Sequence, residues 1–238
     1  MAQKATIDAI NTMVVGLKSD GVWDKITEAY LMAGVTFGGI TVKLKGSGTL
    51  TNNNFVTGDY TVTGSGAGLT GDGSTKYLDT GLTRPAQGDV SYSAYVTVAN
   101  TDATTCFYIG AGAGGTNFSG VGRVSGGLAD GFNDSGDATG YTSTVSASRN
   151  GMFVGTSRTN SDRELYRNGS SIATNGTTAT ATSDTTSDLE IFKASGSGVV
   201  SDATLTFAHI GTGLTDTDAS NLSTRVNTLM TALGCNTY

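Results

Sequence analysis

The chain has 238 residues and a formal net charge of -6, with charged residues making up only 14% of it. Glycine fills 35 positions and proline 1, which suits short strands joined by glycine turns and excludes a helical bundle rich in Ala, Leu, Glu and Lys. A hydrophobic share of 37% excludes a disordered chain. No apolar run approaches the ~18 residues of a membrane span, and the acidic balance argues against nucleic acid as a partner.

Residues 1–40 read as a helical segment. Met1-Ala2-Gln3-Lys4 leads into a mixed polar stretch without the apolar core of a secretory signal. Ile7, Ile10, Val14 and Leu17 recur at helical spacing, and Gly21 interrupts them. Val22, Ile26 and Ala29 continue the stripe, with Trp23 and Tyr30 beside it. The spacing predicts two short helices or one bent one, closed by Gly34 and Gly38-Gly39. Ile10, Val14, Trp23, Ile26 and Tyr30 then have two uses: an assembly interface for another protein, or a cap on one end of the domain that follows.

Residues 41–238 read as an all-β domain, because the period changes to two. Val90, Tyr92, Ala94, Val96 and Val98 alternate with Ser91, Ser93, Tyr95 and Thr97, the pattern of a half-buried strand. Ala203, Leu205 and Phe207 alternate with Thr204 and Thr206 in the same way. Weaker strands are expected at 41–44, 54–63, 76–80, 105–110, 151–158 and 189–193. Asn168-Gly169 is the preferred pair for a type I′ turn, since both central residues need positive φ, and the hairpin it predicts sets Leu165 opposite Ile172. The Gly-, Ser- and Asp-rich stretch 110–140 reads as long loops, and 174–187 as a strand pair or a loop. Thr215-Asp216-Thr217-Asp218 opens a helix over 215–233 with the stripe Ala219, Leu222, Val226, Leu229 and Leu233, and Gly234 stands at its C′ position. Strands with glycine turns and helical ends make an antiparallel β-sandwich that a terminal helix can brace.

Three places carry a resemblance. Leu17-Lys18-Ser19-Asp20-Gly21-Val22-Trp23-Asp24-Lys25, with Tyr30-Leu31-Met32-Ala33-Gly34 after it, is the first, with Leu31 where the family usually has proline. Thr70-Gly71-Asp72-Gly73-Ser74-Thr75-Lys76-Tyr77-Leu78-Asp79-Thr80-Gly81 is the second. The third joins 163–169 to Ala208-His209-Ile210-Gly211-Thr212-Gly213-Leu214-Thr215-Asp216. Together they resemble phage virion proteins carrying a concanavalin A-like (laminin G-like) jelly-roll domain. The resemblance implies a virion structural or receptor-binding role: tail fibre, tail tip or head decoration, assembled in the host cytoplasm.

Chemistry is sparse. His209 is the only histidine, so paired-histidine metal sites are excluded, and no Gly-x-Ser-x-Gly elbow exists for a triad. It shares the alternation of Leu205 and Phe207, which favours a structural role. A retaining glycosidase needs two carboxyls about 5 Å apart. The glutamates are Glu28, Glu164 and Glu190; Asp162 and Glu164 sit two apart and would share a strand face, and the adjacent Arg163 and Arg167 favour solvated ion pairs there. Gly110-Ala111-Gly112-Ala113-Gly114-Gly115 matches a dinucleotide fingerprint, but no helix signal follows to hold a pyrophosphate.

Asp130, Asn133, Asp134 and Asp137 are hard oxygen ligands at short spacing, so Ca²⁺ is the one cofactor the residues suggest. Laminin G-like domains often bind it. Tyr95, Phe132 and Tyr141 are candidate stacking platforms for a sugar ring. Cys106 and Cys235 leave two readings, one long bridge or two buried free thiols, the second favoured in a reducing cytoplasm. These expectations add up to a non-enzymatic phage structural protein that forms homo-oligomers and contacts other virion proteins. The alternative is a carbohydrate-binding module recognising a host surface glycan, and the third reading a glycan hydrolase.

Overall fold

Residues 3–99, 105–112, 117–124, 129–136, 138–145, 149–182, 184 and 186–238 are described by a computed structural model. Helix α1 (Gln3–Ser19) forms where the apolar spacing places it, buries Met13 and Leu17, and stops at Gly21, whose φ is 73°. A 3₁₀ turn (Trp23–Lys25) follows. The second helical stripe does not become a helix: Ile26–Leu31 is strand β1. Ile26, Ala29, Tyr30 and Leu31 are buried on both faces of that strand, so its alternation is masked and the i, i+3, i+4 spacing of its apolar residues is coincidental.

The strands that follow are β2 (Lys43–Lys45), β3 (Thr51–Asn53), β4 (Tyr60–Thr61), β5 (Gly68–Thr70), β6 (Tyr77–Thr83), β7 (Val90–Val98) and β8 (Cys106–Gly112). Then come β9 (Phe118–Val124), β10 (Ala129–Ser135), β11 (Thr142–Val145), β12 (Gly151–Thr159), β13 (Asp162–Arg167), β14 (Ser170–Asn175), β15 (Asp188–Ile191) and β16 (Thr204–Gly211), and the chain closes with helix α2 (Asp216–Ala232). One sheet runs β14-β13-β12-β7-β16-β1-β2, with β5 on β16 and β4 on β5. The other runs β11-β10-β9-β8-β15-β6-β3. The pairings are antiparallel. This is a concanavalin A-like antiparallel β-sandwich with a helix at each end of the chain. Because β1 lies between β16 and β2, the segment 1–40 and the domain 41–238 share one sheet.

Two cores follow from strand alternation. Tyr92, Ala94, Val96, Phe153, Leu165, Leu205, Ala208 and Ile210 point between the sheets and meet Tyr108, Ile109, Val121, Phe132 and Ile191. The opposite faces of the same strands carry Tyr95, Met152, Val154 and Phe207; a register shift in β16 between Leu205 and Phe207 sends these two, expected on one face, into different cores. The helices cover the opposite faces with Met13 and Leu17 of α1 and Leu222, Val226 and Leu229 of α2. β7 is therefore buried on both faces, where the alternation with Ser91, Ser93 and Thr97 had predicted one face open to water. Cys106 and Cys235 are buried free thiols, and burial pushes each up to about 11.

The stretch 110–140 holds two strands, β9 and β10, in place of the expected loops. Its glycines work here as strand residues. A Cβ on Gly120 would stand 2.4 Å from the Ile109 carbonyl oxygen, and one on Gly122 2.2 Å from that of Cys106. Only glycine permits this approach of β9 to β8.

The hairpin forms at Asn168-Gly169, with φ of 52° and 81°. A bulge between Leu165 and Tyr166 shifts the register, so Leu165 faces Ala173 rather than Ile172. Gly169→Ala is expected to cost about 1–2 kcal/mol, the left-handed penalty of a Cβ. A thermal melt checks it, and an unchanged Tm would rule out this turn. At α2, the Thr215 side chain accepts from Asp218 N while Asp218 accepts from Thr215 N at 2.8 Å, and Gly234 has φ 73°, as the capping signals predict.

Candidate functional site

One end of the sandwich gathers polar groups. β6, β10 and β12 finish there, and β7, β9, β13 and β15 start there. A cleft of about 440 Å³ opens at this end, lined by Arg84, Gln87, Asn160, Thr182 and Asp184, with Pro85, Ala86 and Ala181 as its apolar part. Gln87 is tied across it: Nε2 donates to Thr180 O at 3.1 Å, and Oε1 accepts from Thr182 N at 2.9 Å. Thr182 Oγ1 donates to Asn117 Oδ1 at 2.8 Å.

Beneath the cleft the guanidinium of Arg84 is fully buried. Its contacts are long: 3.4 Å to Asn117 Oδ1, 3.5 Å to Ser135 O and 3.7 Å to Asp134 Oδ1. Among the described residues, Arg84 Nε has no hydrogen-bond partner, and neither has Asp184 Oδ2. Asp184 Oδ1 accepts from Thr186 N at 3.3 Å and Ser187 N at 3.1 Å. Burial pushes the Asp184 carboxyl up, but the hydrogen bonds from Ser187 and Thr186 and the charge of Arg84 outweigh it and hold the group below the usual carboxylate value. A buried donor or acceptor left unpaired costs about 1–3 kcal/mol.

The expected calcium ligands do not converge. Asp130 is paired with Arg123 Nη1 at 2.5 Å. Asp134 accepts from Gly88 N at 2.9 Å and from Ser119 Oγ at 3.0 Å, and burial is the main cause of its raised carboxyl. Both are fully buried on the face of β10 that carries Phe132. Asn133 takes the other face, where it donates to Phe118 O at 3.0 Å and accepts from Ser135 Oγ. Strand alternation separates what sequence spacing had placed together. Asp137 lies outside the described residues. Among the described residues, no three His, Cys, Asp or Glu form a metal-holding group.

The expected sugar platform is likewise dispersed. Phe132 is sealed between the sheets against Tyr92, with ring centroids 6.4 Å apart. Tyr95 is buried under the C-terminal tail: its ring stacks on Tyr238, and its hydroxyl donates to Asn227 Oδ1 at 3.1 Å and accepts from Thr237 N at 3.1 Å. Tyr141 is half-buried, edge-on to Phe118. Of the interface stripe, Ile26 and Tyr30 are interior, and Tyr30 donates to the Glu28 carboxylate. Ile10, Val14 and Trp23 stay half-buried, with Lys18 and Lys45 ammoniums 5.7 and 5.1 Å from the Trp23 ring.

The remaining signals resolve into scaffolding. Arg158 bridges Asp162 at 2.8 Å, Glu164 at 3.1 Å and Asp216 at 3.1 Å, while the Tyr166 hydroxyl lies within hydrogen-bond distance of both Glu164 and Asp216 and shares its one proton between them. This network ties the β12–β13 hairpin to the start of α2, and Glu164 is buried rather than solvated. Asp72, in the second resembling motif, accepts from the backbone N–H of Ser74, Thr75 and Lys76 at 2.7–3.0 Å and so shapes the turn before β6. His209 is fully buried, with Nε2 3.1 Å from Ser91 Oγ and Nδ1 2.6 Å from Ser93 Oγ. Ser91 Oγ donates to Thr212 O, so the neutral Nε2–H tautomer satisfies every partner.

The surface carries one further feature. Two hollows of about 560 and 370 Å³ share Ile10 and Val35 and run beside α1. Ile7 is 63% exposed there and Val42 60%. Ile7 was legible from the helical stripe. Val35, Val42 and Val62 were not, because chain reversals bring them to α1.

No protein-family model and no curated protein matches the chain. Solved structures with similar folds include a Trypanosoma rangeli sialidase mutant displaying trans-sialidase activity. It has a TM-score of 0.55 and 12% identity, over 91% of this chain and 38% of that one. The same organism's sialidase in complex with sialic acid aligns with a TM-score of 0.54 and 14% identity, over 84% and 32%. Domain 4 of AbnA, an extracellular arabinanase from Geobacillus stearothermophilus, gives 0.49 and 12% over 84% and 98%. The chain spans about a third of the sialidase chains it matches, and what it shares with them is the β-sandwich.

Proposed function

We propose that the chain is a non-enzymatic structural subunit of a phage virion, in the tail or on the head surface, that contacts copies of itself and other virion proteins. The observation that carries this reading is the apolar groove beside α1, where Ile7, Val42 and Val62 are held out to solvent together. The ion pairs and hydrogen bonds that occupy the acids of β10 and of the β12–β13 hairpin support a scaffold over a catalyst. The motifs at 17–34, 70–81 and 163–169 supply the virion context.

Peptide mass spectrometry of purified particles tests the location, and absence of this chain from them would overturn it. Ile7→Asp with Val42→Asp tests the contact. The variant is expected to keep its Tm within a few degrees, because both side chains are exposed, and to lose incorporation at least tenfold. Undiminished incorporation would count against the groove. A second reading, recognition of a host-surface glycan by the virion, is supported by the polar cleft and by the use of the same sandwich in sialidases.

A further inference from the structure

The geometry points to a ligand site in the cleft beside Arg84 and Asp184, with a neutral polyhydroxylated ligand, a sugar carrying no charge, as its occupant. This rests on the glycan-recognition reading and is independent of the assembly reading. Two atoms lead to it. Arg84 Nε is a donor without an acceptor, and Asp184 Oδ2 is an acceptor without a donor. Their residues are 5% and 8% exposed, and both line the same cleft.

The pair discriminates between ligand classes. An anion would answer Arg84 but be repelled by the Asp184 carboxylate, which is ionised at neutral pH. A cation would answer Asp184 and be repelled by Arg84. A hydroxyl both accepts and donates, so it completes both groups without placing a third charge in the cleft. The remaining lining suits the rest of such a molecule. The Asn160 side-chain amide is exposed and makes no hydrogen bond among the described residues. Gln87 uses one N–H and one lone pair and keeps the second of each. Pro85, Ala86 and Ala181 offer an apolar wall to a C–H face. The volume of about 440 Å³ falls within the range of small-ligand pockets. Both unpaired atoms are buried, so seating a hydroxyl on them requires the cleft floor to open.

Saturation-transfer NMR on the full chain tests this, with glucose, galactose, N-acetylglucosamine and lactose as neutral probes and sialyllactose as the charged one. Transfer to at least one neutral sugar is expected, weaker by tenfold or more in Asp184→Asn and by a few-fold in Asn160→Ala. Asn160 is exposed, so that variant keeps its Tm and remains informative if Asp184→Asn unfolds. Sialyllactose is expected to bind no better than lactose. Sugar binding that both variants leave unchanged would overturn this site while sparing glycan recognition. No transfer from any probe would overturn both, and the occupant of the cleft would then be water.

Discussion

Phe132→Ala is expected to lower stability by about 3–5 kcal/mol, the usual cost of emptying a phenylalanine site in a core. The ring is fully buried in β10 and faces β12, where Gly155 makes room for it: a Cβ on Gly155 would stand 2.3 Å from Phe132 Cδ2. The two residues divide one volume between the sheets. Gly155→Val alone should therefore overpack the site and destabilise the fold. Combined with Phe132→Ala it should recover part of the loss, since the added methyls enter the vacated space. Urea unfolding of the parent, the two single variants and the double variant reads this cycle directly. A loss below about 0.5 kcal/mol for Phe132→Ala is what a surface ring would show, and would return Phe132 to the role of an exposed sugar platform.

Acid should weaken the protein earlier than its carboxylates alone would. Burial pulls His209 down to about 3 from an ordinary value of 6.5. The folded state then binds fewer protons than the unfolded state between these values, so stability is complete above pH 6.5 and falls as the pH drops toward 3. The expected slope approaches 1.4 kcal/mol per pH unit below the unfolded value. Between pH 6.5 and 5 this slope belongs chiefly to His209. The lowered carboxyls of Asp20, Asp72, Asp162, Asp184, Asp216 and Asp218 act below about pH 4–5 in the same direction. The raised carboxyls of Asp134 and Glu190 oppose them. His209→Gln removes the titrating group, so its stability should be lower at pH 7 yet should not fall from pH 6.5 to 5. A parent protein equally stable at both values would show that the imidazole is not sealed between Ser91 and Ser93.

Local signals in the chain were reliable where short-range chemistry decides. The capping box at Thr215 and Asp218, the positive-φ pair Asn168-Gly169, the helix ending at Gly21 and the alternation along 90–98 each depend on a few neighbouring residues, and each stands in the structure. The sandwich itself was readable for the same reason, as a period of two interrupted by glycine turns. The site residues were not. Tyr95 reads as an outward residue of an alternating strand, and it is outward. Only the packing of α2 and the Tyr238 ring turns that face into a second core. Ile26 and Ala29 sat in a helical stripe with Tyr30 beside it until β16 and β2 claimed the segment as a strand between them.

What the chain's local patterns were enough to reveal is an antiparallel sandwich closed by a capped terminal helix, with a single histidine in its inventory. Turn chemistry, side-chain periodicity and residue inventory are all properties of neighbours along the chain. Tertiary structure alone decided which polar groups meet. Arg84, Asn160 and Asp184 are up to 100 residues apart in the chain and share one cleft because several strands end at the same edge of the fold. Asp130 and Asn133, three apart, face opposite ways because a strand turns each side chain away from the last.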